Sequence, residues 1–184
     1  MEPVRYLKLF IKSNRSEIRF FLLFILYFVL AQGLHYIIYP VTDPLLVHEL
    51  NARASATIIN LVTPGENCLV EGSLLRSGKF EVRVIEGCTG TEGMLLLVAA
   101  IWAFKMSLGK KLLGSLIGCF IVYLANLMRI VALYYCLKYR PDIFEVVHIY
   151  IGQILLIFIA LLFFVLWTGR FAGTGTDGRL SKTT

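Results

Sequence analysis

Four apolar stretches run through this chain of 184 residues, the first two separated by about fifty residues and the others by short polar segments. A helix needs about 20 mostly apolar residues to cross the hydrocarbon core of a bilayer. No water is available there to satisfy the backbone, so the usual spanning solution for such stretches is helical. The stretches cover approximately residues 18–39, 91–107, 112–137 and 146–167, and Pro40 is expected to end the first. That first stretch is long and no small-residue cleavage site follows it, so it reads as a retained span rather than a signal peptide. Hydrophobic residues make up 58% of the chain, against about 45–50% in a soluble domain, and the mean hydropathy is +0.75. The expected fold is an all-α polytopic membrane protein of about four transmembrane helices, with a small outer helix-plus-hairpin subdomain.

Charge sets the orientation. Arg5, Lys8, Lys12, Arg15 and Arg19 precede the first span, Lys105, Lys110 and Lys111 lie between the second and third, and Arg170, Arg179 and Lys182 follow the fourth. Basic residues beside spans mark the cytoplasmic side. Both termini are therefore expected inside, with segment 41–92 and the short loop 138–145 outside. The net charge of +6 belongs to this topology. No Lys/Arg block is interleaved with aromatics, so nucleic acid is not an expected partner. The expected organisation is a basic amphipathic segment (1–17) along the inner surface, a membrane domain (18–168) and a disordered cytoplasmic tail (169–184).

The outer segment has about fifty residues, too few for an independent core. Residues 45–62 read as an interfacial helix ended by Thr63-Pro64-Gly65. Residues 68–75 and 79–85 read as two strands joined by a turn at Arg76-Ser77-Gly78, with Phe80, Val82 and Val84 alternating against Glu81 and Arg83. The second strand leads to Glu86-Gly87-Cys88-Thr89-Gly90, at the lip of the second span.

Three polar side chains in or beside these spans need a reason to be there. Cys88 is flanked by Gly87 and Gly90, which let other backbone come close, and Thr89-Gly90-Thr91-Glu92 begins a helix. A helix N-terminus lowers a thiol pKa, and its unpaired N–H groups can receive an oxyanion. Arg129 lies within an apolar run, where an arginine costs roughly 2.5–3.5 kcal/mol even on the gentler scales. Asn126, three residues earlier, shares its helix face and makes a polar site facing the bundle interior the preferred reading. Snorkelling of Arg129 to the headgroups and a structural clamp on neighbouring carbonyls are the alternatives. His148 opens the fourth span, close to the outer end of the third because loop 138–145 is short. It is the natural proton carrier for a Cys88 nucleophile. His35 and His48 are rival imidazoles. Tyr150 and Gln153 lie nearby, and Cys119 and Cys136 read as structural. No C-x-x-C pair points to zinc, and neither a metal nor an organic cofactor is implied.

Glu86-Gly87-Cys88-Thr89-Gly90, Asn126-x-x-Arg129 and His148, in this order and each at the outer end of a span, resemble the exosortase/archaeosortase family. The resemblance runs over residues 62–167, and the stretch from Glu71-Gly72 to Met94 is most similar to the compact exosortase H type. It implies an integral membrane cysteine transpeptidase or protease of the bacterial plasma (inner) membrane, its site facing the periplasm or outside. Its partners would be exported proteins ending in a tripartite sorting tail of short motif, transmembrane stretch and basic end, and an amine, lipid or glycan acceptor. Cys88 would attack and form a thioester, His148 would move protons, and Arg129 would stabilise the oxyanion or thiolate, with Asn126, Gly87, Thr89 and Gly90 supporting. The main rival is a non-catalytic membrane scaffold for surface protein or polysaccharide export, with a Cys68–Cys88 disulfide. A small transporter, with Arg129 binding its substrate, ranks third.

Overall fold

The computed structural model describes residues 14–84 and 88–172, without the side chains of 43 and 47–49. The expected inner-surface helix over residues 4–18 lies mostly outside the described residues, as does nearly all of the C-terminal tail.

The first helix, α1, covers Arg15–Asp43 and does not stop at Pro40, which lies inside it. A proline only needs its own N–H to be dispensable and its ring to be tolerated by the preceding turn. The helical path continues as a π-helical segment, Pro44–Arg53, and then as α2, Ala54–Val62. Thr63 closes α2 by donating its N–H to the Ile59 carbonyl at 2.8 Å. A 3-10 turn, Pro64–Glu66, follows, so the expected break at Thr63-Pro64-Gly65 is where the helix ends.

The expected two-strand hairpin is a three-stranded antiparallel meander, β1 (Leu69–Glu71), β2 (Leu74–Ser77) and β3 (Phe80–Arg83). The first expected strand is folded on itself at Gly72-Ser73, and the second turn sits at Gly78-Lys79 rather than over Arg76–Gly78, because Glu71 pairs with Leu74 and Ser77 with Phe80. Gly72 and Gly78 have φ of 62° and 61°. A glycine with positive φ at the first of two turn positions is what a type II′ hairpin turn requires.

Three further helices form the bundle: α3 (Thr91–Ala103), α4 (Leu108–Tyr139) and α5 (Gly152–Ala172). A 3-10 turn, one α turn and a π turn (Val147–Ile151) lead into α5. Three helical stretches are long and apolar enough to cross a bilayer: Arg15–Thr42, Leu108–Tyr139 and Pro141–Phe171. The expected second span is shorter than anticipated. At 13 residues and about 1.5 Å per residue, α3 falls well short of the roughly 30 Å hydrocarbon core. It ends at Phe104, whose backbone is extended, and is surrounded by α1, α4 and α5. The apolar window of α1 has no buried share, that of α4 is 44% buried. Thus α1 lies on the outside of the bundle, with Phe20 against Phe104 and Phe164, and α4 is the central strut.

Two apolar clusters hold the fold. Leu97, Ile101, Val122, Leu156 and Ala160 join α3, α4 and α5. The second, at the sheet end, joins Ala56 and Ile59 of α2, Leu75 and Val84 of the sheet, Cys88, and Ile130 and Tyr134 of α4. This cluster fixes the meander on α4. A buried ionic clasp reinforces it. Glu66 receives Lys138 Nζ at 2.5 and 2.7 Å, Tyr134 Oη at 2.8 Å and Ser77 Oγ at 2.7 Å. These donors, Lys138 foremost, hold the Glu66 carboxyl well below its ordinary 4.5, at about 2.

A carboxylate with a depressed folded pKa stabilises the fold fully above its unfolded pKa and loses that contribution as pH falls through the folded one. The protein in detergent should therefore lose thermal stability between about pH 4.5 and pH 2, and Glu66→Gln should lose less over that interval than the wild type. Melting curves that drop in parallel for both proteins would show that the clasp contributes nothing.

Candidate active site

Cys88 lies at the N-terminal approach to α3 and is 7% exposed. Gly90 caps the helix with φ of 74°. The conformation suits glycine, and so does the space: a Cβ there would lie 2.8 Å from Asn126 Cγ. Asn126, wholly buried on α4, donates Nδ2 to the Cys88 carbonyl at 2.7 Å and to Asn51 Oδ1 at 3.1 Å. Asn51 in turn donates to the Leu46 carbonyl at 2.5 Å. An amide chain therefore runs from the π-helical segment through α4 to the backbone of the cysteine. The expected Asn126–Arg129 partnership takes a different form. The two residues share a face of α4, but Asn126 bonds the Cys88 backbone and Arg129 bonds that of His148.

Arg129 is 7% exposed, so its guanidinium is inside the protein and does not snorkel. Its Nη2 donates to the His148 carbonyl at 3.3 Å. It also borders a small crevice with Thr89, Gly90 and Gln153. α5 comes close because residue 152 is glycine: a Cβ there would lie 2.5 Å from Arg129 Nε. His148 stands in the π turn, and its Nε2 is 3.3 Å from Cys88 Sγ. Its ring stacks on Phe144, centroids 5.4 Å apart. π turns widen a helix locally and are frequent at functional sites; here one sits where the imidazole meets the thiol.

Cys88, Asn126, Arg129 and His148 are thus brought together. Gly87 lies outside the described residues. Thr89 Oγ1 receives the Thr91 hydroxyl at 2.9 Å and the Thr91 N–H at 3.4 Å, which occupies one of the N–H groups expected to face an oxyanion. Of the rival imidazoles, His35 packs edge-on to Tyr39 within α1, and the side chain of His48 is not described. Tyr150 is 62% exposed, and Gln153 Nε2 donates to Glu92 at 3.3 Å. No disulfide joins Cys68 to Cys88, so the pairing of the scaffold reading is not formed in this structure. Burial, aided by the Glu66 carboxylate, pushes the Cys68 thiol pKa up and makes it a poor nucleophile. Asn51 and Gly152 were not foreseen. Asn51 is one asparagine in a helix-forming stretch, and Gly152 opens an apolar run; neither carries a sequence signal until a partner residue is known.

A cavity of about 670 Å³ lies at the opposite end of the bundle, bordered by Arg19, Phe20, Trp102, Lys105 and Lys111. No thiol or imidazole lines it. A second, of about 240 Å³, is lined by Cys88, His148 and β3.

The sequence model of the transmembrane exosortase family (Exosortase_EpsH) matches residues 9–165. The chain belongs to that family and is a multi-pass membrane protein. No curated protein and no solved structure matches it significantly.

Gly152→Ala puts a methyl against Arg129 Nε and, at 3.2 Å, the Val147 carbonyl. It should cost about 1–3 kcal/mol by overpacking and slow alkylation of Cys88 by displacing the His148 turn. Unchanged thermal unfolding together with an unchanged iodoacetamide rate would sink this account.

Proposed function

We propose that this exosortase-family protein is a cysteine transpeptidase that cuts the C-terminal sorting tail from exported proteins and passes the new C-terminus to an amine acceptor. The observation that carries the reading is the 3.3 Å approach of His148 Nε2 to Cys88 Sγ, with Asn126 fixing the Cys88 backbone. Among the described residues no cluster of His, Cys, Asp and Glu fit to hold a metal is found, and the thiol–imidazole pair has a chemistry of its own.

In this reading His148 takes the Cys88 proton and the thiolate adds to the scissile carbonyl. A C–S bond forms and the carbonyl electrons move to oxygen. Arg129, close to Thr89 and Gly90, supplies positive charge near that oxygen. The intermediate collapses, the C–N bond breaks, and the His148 imidazolium gives its proton to the departing amine of the tail. The acceptor amine then adds to the thioester carbonyl and loses a proton to His148. The C–S bond breaks and the thiolate leaves. Water in place of the amine would give a free carboxylate. A buried site limits water and favours transfer. The site would face the outer side of the inner membrane, where exported proteins meet it.

Two comparisons test the proposal. Host membranes with Cys88→Ala should accumulate proteins that keep a hydrophobic, basic-ended tail, seen by C-terminal proteomics. Identical C-termini in the wild type and the variant at equal expression would refute the enzymatic reading. His148→Ala should slow processing by about 10²–10⁴-fold, the usual contribution of a positioned acid–base group. A variant that processes at the wild-type rate would remove His148 from the chemistry.

A further inference from the structure

β3 stands at the edge of the meander, with one side paired to β2. Val84 donates its N–H to the Ser73 carbonyl at 2.8 Å. Bonding direction alternates along an antiparallel strand. With Leu75 opposite Val82 and Leu74 opposite Arg83, Val82 and Val84 turn their peptide groups toward β2. Glu81 and Arg83 turn theirs the other way. Among the described residues no strand pairs with that side of β3.

The free edge borders the 240 Å³ cavity. Glu81 through Val84 line it together with Ile130, Leu133 and Phe144, and with Cys88 and His148. An unpaired edge is a template for another strand, and proteins usually cover it or blunt it. Here it borders an apolar hollow that contains the candidate nucleophile. The volume is below the roughly 300–1,000 Å³ of a typical small-molecule pocket, and its walls are chiefly apolar. It suits one or two apolar side chains of a peptide whose backbone is held elsewhere. Glu81 and Arg83 carry opposite charges, and the Glu81 carboxylate is engaged by Arg76 at 2.7 Å, so the rim does not select strongly for charge.

We infer that the polypeptide substrate binds in extended form as a fourth strand on β3. Its backbone pairs with the outward peptide groups of Glu81 and Arg83, and an apolar side chain next to the scissile bond enters the hollow between Val82, Leu133 and Phe144. In strand addition the main chain supplies affinity and pockets for alternate side chains supply selectivity. The inference rests on the reading of Cys88 as the nucleophile and adds to it how the substrate is held.

The test uses the full chain in lipid nanodiscs and the probe acetyl-Leu-Ala-Val-Leu chloromethyl ketone. The Cys88 thiolate displaces chloride from the probe, and the adduct is read by intact mass, with iodoacetamide as a small control reagent. The probe is also made with each peptide nitrogen methylated in turn. Strand pairing predicts an alternation: methylation at every second position slows Cys88 labelling about tenfold or more through a lost hydrogen bond and a clash, and the intervening positions leave it within about twofold. Arg83→Pro removes an outward N–H but no bond to β2. It should slow the peptide probe about tenfold relative to Arg83→Ala, which keeps that N–H, with each rate taken as a ratio to that of iodoacetamide. If iodoacetamide and the peptide both label Cys88 and methylation has no alternating effect, the strand is wrong and the nucleophile stands. If neither reagent labels Cys88, the nucleophile reading fails and takes the strand with it.

Discussion

The burial of Arg129 is the constraint on which the rest of the site depends. A guanidinium inside a membrane-spanning helix has no water to solvate it and costs several kcal/mol if it is left to hydrocarbon. At 7% exposure it must find its partners within the protein. The structure meets that need at the start of the last span. The π turn there presents the His148 carbonyl to Nη2, and Gly152 leaves the room a side chain would have filled. The bond to the His148 carbonyl ties the arginine to the turn that carries the imidazole.

The other end of the pair is fixed by similar logic. Asn126 is fully buried, and a buried amide needs partners. It finds them in the Cys88 carbonyl and Asn51. Gly90 lets the chain pass within contact of the asparagine. Asn126 and Arg129 are three residues apart on one helix, so a single face of α4 sets the positions of both thiol and imidazole. α4 is also the most buried of the three long apolar helices, and the sheet is bolted to it by Tyr134, Ile130 and the Glu66–Lys138 clasp. The geometry of the site thus comes from the most rigidly held element of the fold.

Much of this was legible in the sequence because hydrocarbon is an unforgiving solvent. Apolar runs announced the helices, and a lone arginine beside Asn126 announced a polar contact inside the bundle. The break at Thr63-Pro64-Gly65 and the pairing of Cys88 with His148 could be read the same way. What escaped depended on contacts between distant residues. Pro40 reads as a stop, yet the helix runs through it. Gly72 looks like a strand residue until the backbone turns there. The half-length of α3 is set by its packing among three neighbours and by the extended backbone at Phe104, not by any loss of apolar character in residues 104–107 alone. Asn51 gains meaning only when Asn126 is seen to lean on it.

The way the two reactive groups are held bears on their chemistry. Asn126 grips Cys88 by its carbonyl, and Arg129 grips His148 by its carbonyl. Both anchors are on the backbone, one peptide unit away from the atoms that would exchange a proton. A nucleophile has to pass from thiol to thiolate to thioester, and its base from neutral to charged and back. Anchors made to the side chains would strengthen or weaken with each of these changes. Bonds to peptide carbonyls do not depend directly on the protonation state, so the distance between Sγ and Nε2 can be kept while the charges move.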